Sequence, residues 1–162
     1  MDQLVLEPIT SEDFERLKSK VIKEFASEQV RAGNWHERDA MRLAAEQTDV
    51  ILPQGLATPG TLILHARTHE GTRVGHVWIS LEPQGHASGE AWIYDIEVDE
   101  PMRGRGYGRL LLEAAERAAL ASGATALGLN VFGANHVART LYEHSGYEVQ
   151  TLQMRKMLTA RQ

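Results

Sequence analysis

The segment Val98-Asp99-Glu100-Pro101-Met102-Arg103-Gly104-Arg105-Gly106-Tyr107-Gly108-Arg109-Leu110-Leu111-Leu112 constrains this chain more than any other. An apolar strand-like run, Ala91 to Val98, enters it, and an apolar-faced helical run, Leu110 to Ser122, leaves it. Glycines at alternate positions between the two let the backbone approach a ligand without obstruction by Cβ. The first N–H groups of the helix have no intrahelical acceptor, and its dipole favours an anion. Strand, glycine loop and helix together therefore predict a phosphate or pyrophosphate cradle.

Known phosphate loops fit unequally. A P-loop ends in Gly-Lys-Ser/Thr, whereas Gly108 is followed by Arg109 and Leu110. A dinucleotide fingerprint needs Gly-x-Gly-x-x-Gly near the start of a βαβ unit; here the spacing is Gly-x-Gly-x-Gly, late in the chain. Arg-Gly segments that bind RNA are usually disordered and set in basic sequence. A purely structural glycine turn is the remaining alternative.

Around this loop the chain reads as a single domain over residues 1–162, with no repeat, low-complexity tract or dividing linker. The first part predicts two helices. Thr10 and Asp13 suggest a cap, and Phe14, Leu17, Val21, Phe25 and Val30 follow at helical spacing up to Gly33. Asn34 and Glu37 suggest a second capping box, followed by Ala40, Leu43 and Ala44. Strands are expected over Leu62–Thr68, Val74–Leu81 and Ala91–Val98. Beyond the loop and its helix come a strand over Ala126–Val131, a short helix over Asn135–His144, and a strand pair or bent strand over Tyr147–Leu158. The order predicts a mixed α/β sheet.

Composition narrows the function classes. Seventeen basic and 22 acidic side chains give a net charge of −5, a poor balance for a general nucleic-acid binder. No cysteine is present, which excludes disulfides, thiolate metal sites and a cysteine nucleophile. The N-terminal run Met1–Ile9 carries Asp2 and Glu7 and lacks a signal-peptide core, and no stretch is apolar enough to span a bilayer. A cytoplasmic protein is expected, without nucleic-acid or membrane partners. Among the histidines, His65 and His69 fall at a strand end, and His36-Glu37-Arg38-Asp39 is not His-Glu-x-x-His, so no metal site is expected.

Arg103-Gly104-Arg105-Gly106-Tyr107-Gly108 resembles the Arg/Gln-x-x-Gly-x-Gly/Ala signature of the GNAT N-acetyltransferase superfamily. Ile96-Glu97-Val98-Asp99 and Leu110-Leu111-Leu112 fit the same block. Asn130-Val131-Phe132, Asn135, Ala138, Leu141-Tyr142-Glu143 and Gly146-Tyr147-Glu148 resemble the second block of that family. The helical segment around Ala32-Gly33-Asn34-Trp35 is similar to a poorly characterised bacterial branch. The resemblance implies a central mixed, mostly antiparallel sheet with splayed central parallel strands, flanked by helices.

It also implies an acetyl-CoA-dependent enzyme in which a primary amine attacks directly within a ternary complex. Ile96, Glu97 and Val98 would meet the pantetheine arm through their backbone. Arg103, Gly104, Arg105, Gly106, Tyr107 and Gly108 would take the pyrophosphate through N–H groups, with Arg105 and Arg109 as candidates for side-chain contacts. At about 100° per residue, Asn135, Ala138 and Tyr142 share one helical stripe suited to a thin ligand arm, while Val137 and Leu141 should face the core. By resemblance Asn135 holds the pantetheine and Tyr142 lies near the thioester sulfur, as general acid to the leaving thiolate.

Amine acetylation needs a base, because a primary amine with a pKa of about 10 is mostly charged at neutral pH. Asp95 and Glu97 are the candidates, with Glu97 slightly favoured. Strict alternation puts Ile93, Asp95 and Glu97 on one face and Trp92, Tyr94, Ile96 and Val98 on the other, unless a bulge changes the parity. A strand N–H near Val98 would stabilise the oxyanion. Trp35, His36 and Asn130 are candidates for the acceptor side, each with a plain packing or hydrogen-bonding alternative. The acceptor, a small-molecule or peptide amine, is not specified, and the resemblance leaves a homodimer open. A non-catalytic acyl-CoA binding or sensing module, and an interaction module with a structural glycine turn, are the alternatives.

Overall fold

A computed structural model of the chain describes residues 3–159; Met1 and Asp2 of the N-terminal run lie outside them. The elements in order are β1 (Val5–Pro8), α1 (Ser11–Arg31), α2 (Glu37–Ile51), β2 (Thr61–Arg67), β3 (Arg73–Ser80), β4 (Glu90–Val98), α3 (Tyr107–Ala121), β5 (Ala126–Leu129) and α4 (His136–His144). Single turns of 3₁₀ helix lie at Gly55–Ala57 and Glu100–Met102. The strands form one sheet in sequence order. β1 to β4 are antiparallel neighbours, and β4 and β5 are parallel.

The sheet has two differently covered faces. On one, α3 buries Leu111, Leu112, Ala115 and Ala119 against Val74, Val77 and Ile79 of β3 and Ala91 and Ile93 of β4. Ile79, Leu111, Leu112, Val74 and Val77 are the largest fully buried side chains, so the helix that leaves the glycine loop is fixed by the centre of the core. On the other face, Phe14 of α1 packs with Ile63 and Trp78, and Leu17, Val21 and Tyr94 border them. α1 and α2 hold each other through the small buried residues Ala26, Ala40 and Ala44.

The helix starts follow their local chemistry in one case and not in the other. Thr10 caps α1, its hydroxyl accepting the Asp13 N–H at 3.1 Å. α2 begins one residue after His36, which supplies no side-chain cap. The expected Asn34–Glu37 box is absent because the Asn34 side chain is engaged elsewhere. It donates to Gln29 Oε1 (2.6 Å) and accepts from Arg155 (2.7 Å).

Three further features differ from the sequence reading. β1 was not anticipated. It is a four-residue edge strand ending at Pro8, too short to show a period. β5 stops at Leu129 rather than Val131, because the chain turns off the sheet there. The expected strand over Tyr147–Leu158 does not form: residues 147–159 have no regular structure, and Val149, Leu152, Met154, Met157 and Leu158 are exposed. That segment is tied down instead by Arg155, which donates to the carbonyls of Ala32 (3.2 Å) and Gly33 (2.5 Å).

Candidate active site

β4 and β5 pair only from Glu90↔Ala126 to Ile93↔Leu129. Beyond Ile93 the two strands part, and the backbone of Tyr94 to Val98 has no β5 partner. The gap is a cavity of about 150 Å³ lined by residues of both strands and of α4, among them Asp95, Ile96, Asn130, Asn135, Ala138 and Tyr142. The stripe read from helical spacing thus faces one cavity. Its partner expectation needs correction: Leu141 packs on the core, but Val137 is 85% exposed. α4 has no fully buried residue, and only Ala138, Arg139, Leu141 and Tyr142 are partly covered.

The loop between β4 and α3 has the backbone that its glycines permit. Gly104 (φ +72°) and Gly106 (φ +82°) are left-handed, and Gly106 is the N-cap of α3. A Cβ at Gly104 would meet nothing within 4 Å. Gly108 packs close to Leu141, where a Cβ would lie 3.4 Å from its Cδ2. Open space beside the free N–H groups of a helix start is what an anionic group requires. Not every residue of the loop offers its groups. Arg103 donates its own N–H to Glu100 (3.2 Å), and its guanidinium turns back to Val98 O (2.9 Å) and Glu97 Oε1 (2.6 Å). Arg109 pairs with Glu113 (2.9 Å). Arg105 lies between the two left-handed glycines, and Tyr107 follows the second.

A bulge in β4 sets the carboxylates. Trp78 is opposite Asp95 and Ile79 opposite Ile93, leaving Tyr94 as the extra residue. Ile93, Ile96 and Val98 therefore face α3, while Tyr94 stacks near Trp78 (5.1 Å) on the α1 face. The strict alternation expected from the sequence is corrected accordingly: Ile93 does not share the face of Asp95 and Glu97, and Tyr94 does not share that of Ile96 and Val98.

The two carboxylates differ in their partners. Glu97 is bound at both oxygens, by Lys20 at Oε2 and Arg103 at Oε1. Burial pulls the Lys20 ammonium down, but the hydrogen bond and charge of Glu97 outweigh it, and the net shift is upward. Burial raises the nearby Glu24 carboxyl, partly opposed by Lys20. Asp95 has one oxygen, Oδ2, in a 2.5 Å hydrogen bond with buried His76. Among the described residues no side-chain hydrogen bond engages its Oδ1. Burial first, and the Asp95 charge second, push the Tyr142 hydroxyl up, so it stays protonated throughout the neutral range. Its ring lies 5.8 Å from that of Tyr147.

The remaining candidates are not all gathered here. Asn130 lines the cavity. Asn135 does too, and its Oδ1 caps α4 by accepting the Ala138 N–H at 3.1 Å. Trp35 packs edge-on against Phe25 at 5.2 Å, and His36 is the exposed N-cap of α2; neither lines the cavity. His65 is a buried packing residue bonded to Asp13 at 3.3 Å. Among the described residues no group of His, Asp and Glu could hold a metal ion, and no helix is long and apolar enough to cross a membrane. Sequence reasoning missed Lys20, Glu24 and His76. The first two lie on α1, far in sequence from β4. His76 sits in an apolar run, and a polar residue there was the one available signal.

The model of the acetyltransferase (GNAT) family matches residues 22–147. The chain is 37% identical over 155 residues to a Bacillus subtilis (strain 168) protein named uncharacterized N-acetyltransferase YycN, covering 96% of this chain and 99% of that one. A second B. subtilis protein, uncharacterized N-acetyltransferase YdgE, is 31% identical, covering 94% and 97%. The crystal structure of YycN is similar with a TM-score of 0.90, covering 97% of this chain and 99% of that one.

Proposed function

This chain belongs to the GNAT acetyltransferase family, and we propose that it transfers the acetyl group of acetyl-CoA to a primary amine by direct attack within a ternary complex. Acetyl-CoA supplies the activated acetyl group as a thioester. The observation that carries the reading is the parting of β4 and β5 beyond Ile93, with Asp95 and Tyr142 lining the same gap.

In this reading Gly104, Arg105, Gly106, Tyr107 and Gly108 hold the pyrophosphate through backbone N–H groups. Ile96, Glu97 and Val98 offer the unpaired side of β4 to the pantetheine. Asn135 and Ala138 border that arm from α4. Tyr142 is the acid: a phenol held protonated by burial can give its proton to a leaving thiolate. Asp95 is preferred as the base over Glu97. It lines the cavity and keeps one oxygen without a side-chain partner, whereas two cations hold Glu97. Bound by Lys20 from α1 and by Arg103 from the loop, the Glu97 carboxylate serves to fix the loop to the strand. Asn130, the residue that follows β5, faces the acceptor.

Thiol release measured with acetyl-CoA and a panel of primary amines, with mass spectrometry of the products, tests the proposal. An acetylated amine formed in step with thiol supports it. Binding of acetyl-CoA without transfer to any amine would overturn it.

A further inference from the structure

His76 is the least expected residue near the cavity. It lies on β3 opposite Glu97, within a strand otherwise filled by Val74, Val77, Trp78 and Ile79. Its side chain is only 3% exposed, and its Nε2 lies 2.5 Å from Asp95 Oδ2. A buried imidazole beside a carboxylate that lines an open cavity has few structural explanations. Packing alone would favour an aliphatic side chain, because a buried polar ring costs free energy unless its hydrogen bonds are made.

The geometry points to His76 as a positioning residue for Asp95; this rests on the assignment of Asp95 as the base. His76 donates Nε2–H to Oδ2, locks the carboxylate in one rotamer and leaves Oδ1 as the oxygen turned to the cavity. The arrangement is the one by which a carboxylate and a histidine fix each other's orientation elsewhere, with the histidine here in the supporting role. Three features of the fold set it up. Gly75 brings β3 very near β4: a Cβ there would lie 2.1 Å from Glu97 O. The bulge at Tyr94 turns Asp95 to the His76 side. Lys20 and Arg103 occupy Glu97, the carboxylate directly opposite His76, so it does not compete for the imidazole. The charged groups around the pair are Glu97 from β4 and Lys20 and Glu24 from α1.

Nuclear magnetic resonance of the ligand-free protein tests this without knowledge of the acceptor. In ¹⁵N-histidine-labelled wild type, Nε2 of His76 is expected to carry a proton; a protonated Nδ1 with bare Nε2 would overturn the proposal. Carbon–carbon couplings of Asp95 should report a single χ1 rotamer in wild type and in His76→Gln, whose amide can still donate, and averaging in His76→Leu. An unchanged Asp95 rotamer in His76→Leu, or averaging already in wild type, would also overturn it. Thiol release with benzylamine as the probe amine gives the kinetic readout. His76→Leu should lower kcat roughly ten- to a hundredfold, as for a misplaced catalytic group, with the KM for acetyl-CoA unchanged, and His76→Gln should recover most of the loss. Equal rates in His76→Leu and wild type would contradict the positioning role. If wild type does not turn over benzylamine, an amine acetylated in the panel replaces it as the probe, and the rotamer and tautomer still decide the role of His76.

Discussion

Replacement of Gly104 by alanine separates what the loop does for folding from what it does for a ligand. Gly104 has φ +72°. An alanine held in that left-handed conformation costs about 1–2 kcal/mol. Nothing lies within 4 Å of the added Cβ, so no clash adds to this. Gly71 is a matched control: its φ is +85°, its Cβ would also meet nothing, and it lies in the β2–β3 turn. For a chain of this size 1–2 kcal/mol corresponds to a fall in Tm of roughly 2–8 °C. Stabilities of about 5–15 kcal/mol leave both variants folded at room temperature. If the loop N–H groups hold pyrophosphate, the Gly104→Ala methyl group or the rotated peptide that relieves it removes at least one charge-assisted hydrogen bond. Such a bond is worth about 1.5–3 kcal/mol, or roughly ten- to a hundredfold in Kd. Thermal unfolding and calorimetric titration with acetyl-CoA measure the two effects. Similar losses of Tm are expected, with weakened binding in Gly104→Ala alone. Equal affinities in the two variants would refute the argument.

Four other expectations follow from the same structure. Tyr142→Phe should lower the rate of the chemical step by about 10²- to 10⁴-fold with the affinity for acetyl-CoA preserved, as read by single-turnover kinetics. Asp95→Asn should abolish most amine-dependent thiol release, whereas Glu97→Gln should mainly lower thermal stability, because it loosens Lys20 and Arg103. Gly128→Ala would set a Cβ 2.5 Å from the Trp92 ring and should cost about 1–3 kcal/mol in denaturant unfolding, prising β5 from β4. Asp13 is held below its ordinary 3.8, first by its hydrogen bond with His65 and then by Thr10. A depressed folded pKa adds stability above the ordinary value and loses it as pH falls through the depressed one. The stability gap between wild type and Asp13→Asn should therefore be open at neutral pH and close in acid, followed by urea unfolding across pH.

The parts of the fold that were legible in the sequence are those with strong local signals. α1 announced itself through Thr10 and the spacing of Phe14, Leu17 and Val21. The loop did so through glycines whose left-handed φ at Gly104 and Gly106 the structure requires. The stripe Asn135–Ala138–Tyr142 followed from helical geometry and does face a single cavity. What failed depends on distant partners. Asn34 looked like a cap, but Gln29 and Arg155 claim its side chain. The run Tyr147–Leu158 has strand-like composition, yet a strand also needs a neighbour, and none pairs with it among the described residues. The difference between Asp95 and Glu97 could not be read locally, because it is made by Lys20 on α1, His76 on β3 and a one-residue bulge.

If the parted strands and the glycine loop form an acetyl-CoA site, isothermal titration of the wild-type chain with acetyl-CoA reads it without any acceptor. One saturable site per chain, weakened by Gly104→Ala and untouched by Gly71→Ala, is the predicted result. The absence of saturable binding would contradict it.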